Sequence, residues 1–75
     1  MPKLKPLSPQ NLAKIAGKLG FRPLRRKGSH ATFANSEGRI LVIPMHSGTK
    51  IDRGLLLKII KKDFGITREE FEKLL

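Results

Sequence analysis

The chain has no cysteine, no tryptophan and no tyrosine. Without thiols it can hold neither a disulfide nor a thiolate metal site, a composition that suits a reducing cytoplasm. Its four aromatic residues, Phe21, Phe33, Phe64 and Phe71, are needed for a core, so base recognition by exposed stacked rings is not expected. The longest unbroken apolar run is residues 40–43, far short of the roughly 18 residues that a membrane helix needs. The basic N-terminus has no apolar stretch behind it, so a secretory signal is not expected either. Acidic residues are scarce as well: none occurs in the first 36 positions, which hold eight Lys or Arg.

What is present is positive charge. Sixteen Lys and Arg stand against six Asp and Glu, a formal net charge of +10 on 75 residues. Four of the six acids, Asp63, Glu69, Glu70 and Glu72, fall near the C-terminus. A surface of this kind attracts phosphate backbones by releasing their counterions, and nucleic acid is the expected polyanion. The length predicts a single domain over residues 1–75.

Residues 1–8 contain Pro2 and Pro6 and predict an extended lead-in. Ser8 reads as an N-cap with Pro9 at the first helical position, and Leu12, Ile15, Ala16 and Leu19 recur at helical spacing before Gly20. A helix over about 9–19 follows. Three strands are expected at about 21–27, 29–34 and 39–43. Pro23 confines the first strand to an edge, Gly28 supplies one turn, and Asn35, Ser36, Glu37 and Gly38 supply the next. Connections this short make the meander antiparallel. A second helix is expected from Asp52 to Phe64, ended by Gly65. Thr67 and Glu70 form a capping-box pattern with Ile66 and Phe71 as its staple, which opens a short last helix. The fold class is α+β: a three-stranded antiparallel sheet with its helices on one face.

The run Arg25, Arg26, Lys27, Gly28, Ser29, His30 carries the chemistry. Strand side chains alternate between faces. With Phe33 anchoring the core, His30 and Thr32 point to the face that the helices leave open. Histidine exchanges a proton near neutral pH, and the three cations can hold a phosphate and stabilise charge building on it. RNA supplies its own nucleophile in the 2′-hydroxyl, so such a site needs no metal ion. By itself, a lone histidine after a turn is more often a solvated surface residue. His46 is either a second proton-transfer group or an ordinary loop residue. Lys58, Lys61 and Lys62 form a basic helix stripe, which is either a solvated face or a track for a phosphate backbone. Ser29 and His30 are adjacent on a strand and point apart, so they are not a nucleophile–base pair. Two histidines without cysteine are too thin a set for a metal site, and no glycine loop has the spacing of a nucleotide-binding P-loop. No cofactor is expected.

These residues, taken in order, resemble the HicA toxin family. The resemblance lies in Leu19-Gly20-Phe21, in Arg25-Arg26-Lys27-Gly28-Ser29-His30 leading to Phe33, and in Val42-Ile43-Pro44-Met45-His46. It continues through Leu56-Leu57-Lys58-Ile59-Ile60, Gly65-Ile66-Thr67, Glu70-Phe71 and Leu74-Leu75. It implies a double-stranded-RNA-binding-like fold and an endoribonuclease toxin that cleaves mRNA. It also implies a HicB-like antitoxin that covers the active site. The family's catalytic histidine maps onto His30. At the start of the second helix, Arg53-Gly54-Leu55 replaces the family's usual lysine-glycine-threonine.

Two other readings remain open. One is a non-catalytic RNA-binding module of the double-stranded-RNA-binding type, and the other is a basic surface that only binds an acidic protein. For a protein partner, either Leu41 or Ile43 is expected to face outward and add an apolar patch.

Overall fold

The computed structural model describes residues 4–45 and 50–75. Among them, no helix is long and apolar enough to cross a membrane. Helix α1 spans Pro9–Lys18. Ser8 is its N-cap and accepts the Asn11 amide at 3.2 Å. Pro9, Leu12, Ile15 and Ala16 make the buried stripe. The helix ends where Gly20 adopts φ 90°, and the amides of Gly20 and Phe21 turn back to the carbonyls of Gly17 and Ala16. This is the paired closure that a left-handed glycine permits just beyond a helix. It delivers Phe21 straight into the core, 5.6 Å from the Phe64 ring.

Strands β1 (Arg22–Lys27), β2 (His30–Ala34) and β3 (Ile40–Pro44) form an antiparallel sheet in that spatial order. The β2–β3 connection is organised by Asn35, whose side-chain oxygen accepts the amides of Glu37 at 3.0 Å and Arg39 at 2.8 Å. Ala31 and Phe33 on β2 and Leu41 and Ile43 on β3 are buried with the apolar stripe of α1 and the second helix. The helices thus cover one face of the sheet.

Asp52 caps helix α2 (Arg53–Lys58) by accepting the Leu55 amide at 2.9 Å. The sequence predicts one α-helix to Phe64. The structure instead continues as a π-helical segment, Ile59–Phe64. Hydrogen bonds to the fifth residue widen the turn. Ile59, Ile60 and Phe64 all stay buried this way while Lys61 and Lys62 face outward. Gly65 closes the segment with φ 66°. The capping box of Thr67 and Glu70 then opens α3 (Arg68–Glu72), with Phe71 fully buried.

The lead-in is tied to this body. Leu4 is buried, and Leu7 exchanges backbone hydrogen bonds with Ile51, at 3.1 Å and 2.7 Å. This bridge holds the start of α1 beside the start of α2.

Candidate functional site

The site is built on the β1–β2 hairpin. Its connection is two residues, Gly28 and Ser29. Gly28 has φ 60°, and no residue other than glycine takes a positive φ among those described. Positive φ at the first central position alone marks a type II′ turn, whose twist matches that of the flanking strands. Lys27 and His30 are cross-strand partners on either side of it.

Directly paired residues share a face of the sheet, and the pairing therefore sorts the side chains. On the open face, the first rung is Lys27, His30 and Pro44, the next is Arg25, Thr32 and Val42, and the third is Arg22, Ala34 and Ile40. The intervening rungs, Arg26 with Ala31 and Ile43, and Pro23 with Phe33 and Leu41, face the helices.

The sorting depends on a β-bulge. The register shifts between Pro23 and Arg25, leaving Leu24 as the extra residue. Strict alternation from Arg22 would turn Leu24 and Arg26 to the open face. The bulge turns Arg25 and Lys27 there instead, so Arg22, Arg25 and Lys27 stand on the same side as His30. Arg26 lies on the other side and its Nε donates back to the Gly28 carbonyl at 3.4 Å. The three adjacent cations of the sequence are thus divided two to one. Arg22, which sequence reasoning missed, joins the pair. The available signal was Pro23, because proline inside a strand marks an edge or a bulge.

His30 is exposed, Ser29 and Thr32 are half-buried, and Arg22, Arg25 and Lys27 are exposed. The Met45 amide donates to the Ser29 carbonyl, which fixes the end of β3 beside the hairpin tip. His46, the other candidate for proton transfer, lies outside the described residues. Lys58, Lys61 and Lys62 are exposed, and they belong to the helical layer that packs on the face of the sheet opposite His30. The Lys62 carbonyl accepts from Arg39 Nη1 at 3.2 Å. Arg39 precedes Ile40, at the end of the ladder remote from His30. Four strand residues, about 14 Å, separate the two ends.

The expectation that Leu41 or Ile43 faces outward is overturned. Two residues apart on a strand, they share a face, and both are buried, at 1% and 0% exposure. The outward residues are Ile40 and Val42, at 51% and 46%. They line the side of the open face opposite the cations of β1. Among the described residues, no three His, Asp or Glu side chains gather as a metal ion would require.

No curated protein sequence matches the chain. A family model described as the HicA toxin of bacterial toxin–antitoxin systems matches residues 10–66, more than half of the chain. The matched span includes α1 from its second residue, all three strands, α2 and its π-helical continuation. The chain therefore belongs to the HicA toxin family, the toxin half of a bacterial toxin–antitoxin pair whose other half is a HicB-type antitoxin.

Proposed function

We propose that this toxin is an endoribonuclease that cleaves mRNA, with His30 as the proton-transfer residue and Lys27 and Arg25 as the groups that hold the phosphate. The observation that carries the reading is the rung pairing His30 with Lys27 on an exposed face, with Arg25 one rung further along the same face.

In the reaction, the 2′-hydroxyl attacks the neighbouring phosphorus and gives its proton to His30. The bond from phosphorus to the 5′-oxygen breaks, and that oxygen takes a proton from His30 or from water. The products are a 2′,3′-cyclic phosphate and a free 5′-hydroxyl. Charge building on the non-bridging oxygens is met by Lys27 and Arg25, which the ladder sets on the same face as His30. The purified protein should cut RNA in the presence of EDTA, leave DNA of the same sequence intact, and yield the cyclic or 3′-phosphate end. A requirement for Mg²⁺, or equal cutting of DNA, sinks this mechanism. RNA binding without any cleavage leaves the binding-module reading in its place.

The antitoxin, in this reading, presents carboxylates to the cationic face and buries His30. Charge steering speeds such an encounter, so its association rate falls as salt rises. A complex in which His30 stays open to solvent contradicts this mode of inhibition.

A further inference from the structure

From the arrangement of the open sheet face we infer that it is a platform for a single, unpaired RNA strand, with the backbone along β1 and the bases laid across β2 towards Ile40 and Val42. The inference rests on the ribonuclease reading above and names the form of RNA that the site takes.

Three features carry it. The first is that the cations of this face lie on one strand only. Arg22, Arg25 and Lys27 belong to β1, while the β3 members of the same rungs are Ile40, Val42 and Pro44. A duplex presents two backbones, one on each side of a groove, and would find positive charge under only one of them. Arg25 and Lys27 are two strand residues apart, about 7 Å, which is close to one nucleotide of extended backbone.

The second feature is the floor. Between the cations and the aliphatic residues lie Thr32 and Ala34, small and half-buried. From β1 to β3 the face is about 10 Å wide, two strand spacings, which is the reach from a phosphate to the far edge of its base. Ile40 and Val42 are among the large hydrophobic residues left exposed. In a duplex the base faces are stacked inside the helix and cannot meet them, whereas an unpaired strand can splay its bases onto a protein surface. With no exposed aromatic ring on these rungs, the contact is aliphatic and tolerant of base identity.

The third feature is the position of His30. It stands at one end of this rail, paired with Lys27, so a strand following Arg22 and Arg25 brings a phosphate to the His30 rung.

The test uses the full chain carrying His30→Ala, so that RNA is bound and not cut. The probes are a labelled unstructured RNA of about eight nucleotides, a length within the usual site sizes of single-strand binders, and the duplex of the same sequence. The single strand should bind more tightly than the duplex. Arg25→Ala and Lys27→Ala should each lower the slope of log K against log salt by about 0.7, while Arg26→Ala leaves it unchanged. Ile40→Thr with Val42→Thr, exposed β-branched replacements that keep the strand, should weaken the single strand several-fold with the slope intact. Circular dichroism of each variant confirms the fold. Equal or tighter duplex binding overturns the inference, and so does an Arg26 effect as large as that of Arg25. Unchanged RNA affinity in the Ile40 and Val42 variant, with loss of antitoxin binding, assigns the aliphatic strip to the protein partner. Failure of the single strand and the duplex alike to bind at low salt removes the ribonuclease reading itself.

Discussion

β1 and β3 flank the same central strand, yet one is built for the core and the other for the surface. β3 alternates between exposed and buried positions, and its Leu41 and Ile43 pack under the helices. β1 is exposed at all six residues and adds nothing to the core. Its hold on the molecule is the ladder to β2 and the tight turn at Gly28. Burial stabilises a strand through the area it removes from water. A strand that buries no side chain leaves its residues available for contact with something else. On one side of β2 the sequence answers to packing, and on the other side to charge.

The largest expected effect separates function from stability on the hairpin side. His30→Ala should lower RNA cleavage by about 10²–10⁴-fold, the usual weight of a positioned acid or base. The ring is exposed, so its removal opens no core cavity. Thermal melting should still show a cooperative transition, and a gel shift should still report RNA. A folded variant that cuts at the original rate removes His30 from the mechanism and leaves His46 as the leading candidate.

The converse holds across β2. Leu41→Ala should cost about 2–5 kcal/mol, the range for a fully buried large-to-small change, and any loss of cleavage should track the unfolded fraction in urea. Were Leu41→Ala to lose activity while fully folded, the division of labour between the two strands would be wrong.

Gly28→Ala is the smallest and sharpest of the three changes. A Cβ at this position meets no atom within 4 Å, so its cost comes from φ 60° alone. That strain is about 1–3 kcal/mol. The cost should appear first as faster amide exchange in β1 and at the Lys27 and His30 rung, with the core of α1 and β3 unaffected. Uniform loss of protection would show that the hairpin and core open as one unit.

Much of the fold was legible in the sequence because its signals are local. The Ser8 cap, the Gly20 stop, and the pairing of Thr67 with Glu70 each involve residues within a few positions of one another. The face of His30 followed from Phe33 by simple alternation. The bulge at Leu24 did not, because a register shift exists only between two strands and is fixed by what each side chain meets across the ladder. The same is true of the π-helical segment, whose widened turn answers to the packing of Ile59, Ile60 and Phe64. Reading Leu41 and Ile43 as alternatives for the outward position overlooked that residues two apart on a strand share a face. The grouping of Arg25, Arg26 and Lys27 treated neighbours in sequence as neighbours in space. The stripe of Lys58, Lys61 and Lys62 was legible as a stripe, but its separation from the face of His30 depended on which side of the sheet the helices cover.

The bulge in β1 has a second effect, on how copies of this protein meet one another. A bare strand at the edge of a sheet invites another chain to add to it, and edges resist this with proline, bulges and charge. β1 has all three: Pro23, the irregular register at Leu24, and a basic residue at four of its six positions. Leu24, at 61% exposure, is the one large apolar side chain on that strand. Replacing Arg25, Arg26 and Lys27 together would therefore strip an edge of its protection as well as its affinity for phosphate. A variant of that kind has to be shown monomeric by size-exclusion chromatography before its lost activity says anything about RNA, since self-association through the same strand would silence the toxin just as well.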